Sequence, residues 1–184
     1  MIKLVDNILN KITMYRLVLY CLVTVWFAGL FLSFLKLVNF DPLDLIVSST
    51  VIFASTIVIN KIFTIGFKVP SNPESTYITG LILSLITGPE NSMKGMFLLV
   101  LISFLAIASK YVVALQRKHL FNPAAFGVVI GSLVFNYYPS WWVANPYLFW
   151  LVLAAGLLIT RKIQRAEMVL SFFIVFFITS WSSS

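Results

Sequence analysis

The sequence predicts an all-α, polytopic integral membrane helical bundle, and three observations carry that expectation. Of its 184 residues, 60% are hydrophobic and only 10% charged, against roughly 45–50% and 25% in soluble domains. The apolar residues form runs, several as long as the ~20 residues that cross a hydrocarbon core of about 30 Å. The thirteen lysines and arginines fall between those runs and not along one exposed face. The formal charge of +7 therefore reads as membrane topology and contact with anionic lipid of the bilayer; no nucleic-acid role is expected.

Residues 1–13 mix Ile2, Leu4, Val5, Ile8, Leu9 and Ile12 with Lys3, Asp6, Asn7, Asn10 and Lys11, an amphipathic stretch suited to a membrane surface. A first span is expected at about 15–37; it lacks a small-residue cleavage site and reads as an anchor, not a removed signal. An acidic turn at 39–44 leads to a second span at about 45–65. Its Ser48, Ser49, Ser55, Thr56 and Asn60 lie close to one face, which must point at protein or water.

Lys68, Pro70, Asn72 and Pro73 break the chain over 66–75. The apolar run 76–87 that follows is about 18 Å as a helix, too short for a comfortable crossing, so a short or broken helix is expected. Thr76, Gly80, Ser84 and Gly88 recur every fourth residue, a stripe open to close approach by another backbone or a flat ligand. A full span at 93–115 comes next, then a basic turn and a second short helix at 123–135 with Ala124, Gly127 and Gly131 on one face. Tyr137, Tyr138, Trp141, Trp142 and Tyr147 read as an interfacial aromatic belt. Asn145-Pro146 is expected to open a span to about 160, RKIQR at 161–165 to form another basic turn, and 167–181 to be the last apolar segment.

Six to seven segments in one transmembrane domain, 1–184, result, and the serines at 182–184, stopping an apolar run, suggest one part of a longer polypeptide. Eleven of the thirteen basic residues fall on one side of this division, with Lys36 and Lys94 on the other. The bias predicts a multi-pass protein of the inner (plasma) membrane with a cytoplasmic N-terminus, both short helices starting from that side.

Composition excludes several chemistries. With one cysteine, Cys21, and one histidine, His119, an internal disulfide, a multi-cysteine metal site and a bis-histidine haem are impossible within the chain. The six acids, Asp6, Asp41, Asp44, Glu74, Glu90 and Glu167, lie near segment ends. They offer neither a buried carboxylate chain for proton coupling nor the triad or paired carboxylates of a hydrolase.

The chain's internal polar chemistry concentrates at 110–131 and 69–88. Asn122 is suited to cap a helix whose first residue is Pro123, just after Arg117, Lys118 and His119. Free N–H groups and potentially cationic side chains converge there, which favours a phosphate or another anion; a capped helix after a positive-inside loop is the plainer alternative. Asn-Pro recurs at 72–73, 122–123 and 145–146, and paired interrupted segments point to a site between them.

Two stretches, TYITGLILSLITGP at 76–89 and KHLFNPAAFGVVI at 118–130, with WWV at 141–143 and RKI at 161–163, resemble the NqrB/RnfD family of membrane flavoproteins. Its members serve the Rnf complex and the sodium-translocating NADH:quinone reductase; the likeness is to a shorter branch and covers about 40–165. The resemblance implies a helical fold with broken helices, a flavin in the membrane, and electron transfer across it with Na⁺ or H⁺ coupling. The Ser/Thr-Gly-Ala-Thr motif that carries covalent flavin in that family is absent. The cofactor expected is therefore non-covalent flavin mononucleotide (FMN) or riboflavin. Its ring is expected against the small faces around Gly80, Ser84 and Gly127, with Thr76, Thr79 and Asn122 bonding its polar edge. Lys110, Arg117, Lys118 and His119 are expected to meet a phosphate or the reduced ring. The partner implied is a cytoplasmic flavin or iron-sulfur reductase, as a domain or a separate chain; a homo-oligomer stays open. The competing classes are a small-solute transporter or channel built on the same broken helices, and a membrane anchor for a soluble reductase.

Overall fold

The computed structural model describes residues 11–70, 72–115, 118–119 and 121–182, with backbone alone at 114–115, 118–119 and 182. Among these residues seven helices follow in order: α1 (Met14–Phe34), α2 (Pro42–Phe67), α3 (Pro73–Ile86), α4 (Met93–Val112), α5 (Pro123–Phe135), α6 (Phe149–Ile163) and α7 (Ala166–Ser182). Between α4 and α5 the basic turn forms a tight antiparallel pairing of β1 (Ala114–Leu115) with β2 (Lys118–His119). The all-α polytopic bundle is therefore the architecture, but four of these helices are short and not two: α3, α5, α6 and α7 run 14, 13, 15 and 17 residues. Among the described residues three helices, α1, α2 and α4, are long and apolar enough to cross a membrane. The amphipathic stretch expected at 1–13 lies mostly outside the described residues.

Local chemistry sets the helix starts. Asp41 Oδ1 accepts from Leu43 N at 2.8 Å, Asn72 Oδ1 from Glu74 N at 3.0 Å, and Asn122 Oδ1 from Ala124 N at 3.0 Å, each ahead of a proline in the first turn. Thr13 and Ser92 cap α1 and α4 in the same way. Each cap satisfies an N–H that the helix itself leaves unpaired. The chain turns away after α1, α2, α5 and α6 on left-handed residues that are not glycine: Lys36, Lys68, Asn136 and Gln164.

Several expected boundaries move. The second half of the acidic turn at 39–44 is helix, because Asp41 caps and Pro42 starts α2; α3 likewise begins at Pro73 and not at 76. Asn145-Pro146 does not open a span. Asn145 Oδ1 accepts from Tyr147 N at 2.9 Å and its carbonyl from Leu148 N at 3.0 Å, closing a turn before α6 starts at Phe149. The RKI of 161–163 is the last turn of α6, where its charges complement the helix dipole. The aromatic belt is divided: Tyr138, Trp141 and Tyr147 are exposed, whereas Tyr137 and Trp142 are buried.

Contacts at known chain positions orient the bundle. Arg16 pairs with Glu74 at 3.1 Å and Tyr111 Oη donates to Asn60 Oδ1 at 2.9 Å, gathering the starts of α1 and α3 and the ends of α2 and α4 at one end. Ser48 Oγ accepts from Glu90 N at 2.8 Å at the opposite end. The first of these carries most of the basic residues and is called the basic end below.

The short helix α3 stands in the middle, packed against α1, α2, α4 and α5. Eight of its 14 residues are buried, which explains how a helix of about 21 Å is tolerated at membrane depth: protein, not lipid, surrounds it. Ile52, Leu83, Leu99, Ile102, Ala106 and Val128 form one core among α2 to α5. A second, of Val25, Leu45, Leu85, Trp142 and Leu148, lies toward the opposite end. There Trp142 sets the edge of its six-membered ring against Gly29 and donates Nε1–H to the Ser84 carbonyl at 2.9 Å. Helix α6 has no buried residue, and α7 is exposed along its described length; apolar surface of that extent is suited to contact with a lipid bilayer.

Candidate functional site

The polar groups that the bundle brings together lie where α2, α3 and α4 meet at the basic end. Lys110, in the last turn of α4, is buried at 8% exposure. Its Nζ donates to the Ser75 carbonyl at 3.0 Å and to Ser75 Oγ at 3.2 Å. Thr79 Oγ donates to that same carbonyl at 2.8 Å. Among the described residues no carboxylate lies within ion-pair distance of Lys110; Glu74, one residue from Ser75, is paired with Arg16. A buried ammonium held by neutral oxygens alone leaves a positive field in a low-dielectric setting, strengthened by the start of α3 beside it.

Thr76 follows the carbonyl that holds Lys110. It is 3% exposed, and its Oγ has no hydrogen-bond partner. Ser103 Oγ, on α4 and wholly buried, is likewise without one. Next to Lys110 in the chain, Tyr111 Oη bonds Asn60 Oδ1 and lies 3.0 Å from Thr64 Oγ, with Phe63 and Phe67 stacked on its ring. Orphaned hydroxyls in such an interior are costly and call for a partner.

Of the residues singled out in the sequence, Thr76, Thr79 and Lys110 come together around Ser75. Gly80, Ser84 and Gly127 do not join them. A Cβ on Gly80 would meet Thr56 Oγ at 3.1 Å and Phe53 at 3.3 Å, and one on Gly127 would meet the Ile102 carbonyl at 2.7 Å. Both small faces are thus filled by neighbouring helices. Ser84 gives its hydroxyl to Leu81 O at 2.8 Å and its carbonyl to Trp142. Asn122 is exposed and spends its side-chain oxygen on capping α5. Arg117 lies outside the described residues, and Lys118 and His119 are placed by backbone alone in β2.

Sequence reasoning missed Ser75, Thr64, Tyr111 and Ser103. Ser75 looked like loop beside two prolines, and its acceptor role depends on a lysine 35 residues away. The polar stripe of α2 that ends in Asn60 was visible as a pattern, but its partner, Tyr111, was not. No family model, curated protein or solved structure matches this chain.

Proposed function

We propose that this protein is a membrane-embedded electron-transfer component that binds a flavin, FMN or riboflavin, non-covalently at the basic end. Electrons pass between a cytoplasmic flavin or iron-sulfur reductase and an acceptor in or across the membrane, with Na⁺ or H⁺ as the coupling ion. The excess of basic residues at that end supports a cytoplasmic N-terminus in a plasma (inner) membrane.

The observation that carries this reading is Lys110: buried and, among the described residues, hydrogen-bonded to Ser75 with no carboxylate in ion-pair distance. The residues fit the anionic part of such a cofactor. They do not fit a ring laid on Gly80 or Gly127, because protein atoms fill both faces. When bound, a flavin supplies the redox chemistry. The chain's own groups supply the field: the Lys110 ammonium favours added negative charge beside it, Thr76 Oγ offers a free hydrogen bond, and the apolar core behind them excludes water.

The test is a visible absorption spectrum of the detergent-purified protein before and after dithionite, then after acid denaturation. Flavin bands that bleach on reduction, with the chromophore released by acid, are the expected result; a colourless, well-folded protein overturns it. A second reading, a small-solute pathway between α2, α3 and α4, is favoured by the unpaired hydroxyls of Thr76 and Ser103. Solute flux in vesicles of colourless protein supports that reading, and neither colour nor flux leaves a membrane anchor.

A further inference from the structure

We infer that the groove between α1 and α6 seats one acyl chain of an anionic phospholipid, whose headgroup rests at the basic last turn of α6. This stands apart from the redox reading and does not depend on it. The groove holds about 260 Å³ and is walled by Cys21 and Val25 of α1, Ile82 and Ile86 of α3, and Ala155 and Ile159 of α6. Apart from the Cys21 thiol, its lining carries no hydrogen-bonding or charged side chain. Water inside would find no partners. Pockets for compact drug-sized ligands run about 300–1,000 Å³ and carry a few placed polar groups; this smaller apolar slot suits a single hydrocarbon chain.

Its position supplies the occupant. One wall, α1, is a 21-residue helix of mean hydropathy 2.2, so the groove lies at hydrocarbon depth. The other wall, α6, has no buried residue, and a Cβ on Gly156 would meet nothing within 4 Å. Helix α6 thus touches α1 but leaves a gap at Gly156, and a chain in that gap supplies the contacts that the protein does not make there. The charge sits where a headgroup must be: Ile159 lines the groove, Lys162 three residues on continues that face into the last turn of α6, and Arg161 and Arg165 lie at the same end. Basic residues at a membrane surface attract anionic lipid.

The full chain is reconstituted in nanodiscs of mixed phosphatidylcholine and phosphatidylglycerol, then released and weighed by native mass spectrometry. One phosphatidylglycerol retained per chain is the expected result. Gly156→Phe, which enters open space, loses that lipid with unchanged helical circular dichroism. Arg161→Gln combined with Lys162→Gln keeps a lipid but no longer prefers phosphatidylglycerol. A wild-type chain without lipid, a Gly156→Phe variant that retains it, or an undiminished preference in the double variant overturns the proposal. So does a lipid-free dimer closed over the groove, which assigns that face to a second copy.

Discussion

Lys110 Nζ lies 3.0 Å from the carbonyl oxygen of Ser75, so the last turn of α4 is tied to the first turn of α3 by a buried ammonium that has no carboxylate partner among the described residues. A group serving only the fold would not be charged there, since isolated buried charge is unfavourable. Replacing Lys110 by Met removes the charge while keeping the apolar stem. In ligand-free protein Lys110→Met is expected to raise stability by about 1 kcal/mol or more, read as a higher unfolding midpoint in detergent. In the same variant flavin occupancy falls. A lower midpoint with unchanged occupancy would assign Lys110 to helix packing alone.

Gly127 sets the distance between α4 and α5. An added Cβ would sit 2.7 Å from the Ile102 carbonyl and 2.8 Å from Ala106 Cβ, contacts that neither neighbour relieves easily. Gly127→Ala is expected to cost about 1–3 kcal/mol, as overpacking does, whereas Gly156→Ala leaves stability within about 0.5 kcal/mol, as surface changes do. Thermal unfolding of the two variants side by side checks both.

Trp142 ties the opposite end of α3 to α1, bonding the Ser84 carbonyl and setting its ring edge against Gly29. Trp142→Phe leaves that buried carbonyl without the indole donor and is expected to cost about 1–3 kcal/mol. Gly29→Leu displaces the indole from its slot. Its tryptophan emission should shift to the red relative to the wild-type protein; an unshifted spectrum would show that the ring does not depend on Gly29.

Tyr137 supplies a pH dependence. Burial above all, with the Glu90 carboxylate adding to it, pushes its phenol up from 10.0 to about 12, against smaller opposing effects of Gly88 and Thr87. The folded protein holds this proton more tightly than the unfolded chain. The associated stability is therefore complete below about pH 10 and is lost as pH rises toward about 12. Tyr137→Phe should flatten that part of the stability profile, and Glu90→Gln should bring tyrosinate absorbance in at lower pH. A Tyr137→Phe profile that matches wild type would remove Tyr137 as the cause.

The sequence by itself determined the membrane bundle, its order of segments and most helix starts, because these follow from local quantities. Apolar run length fixes what can cross a bilayer, and Asn72-Pro73 and Asn122-Pro123 carry their own capping chemistry. The third Asn-Pro shows the limit: Asn145 makes the same side-chain bond, yet a turn follows it and α6 waits until Phe149. Tertiary structure alone decided what the small-residue faces meet. Gly80 and Gly127 have the spacing of a ligand slot and of a helix contact equally, and only the approach of Thr56 and Ile102 separates the two. It also decided which aromatics leave the interface, since Trp142 is buried by Gly29, 113 positions earlier in the chain. And it moved the centre of the candidate site from the start of α5 to that of α3. A buried charge gains its meaning from what surrounds it, and Lys110 meets Ser75 only after α3 and α4 have packed.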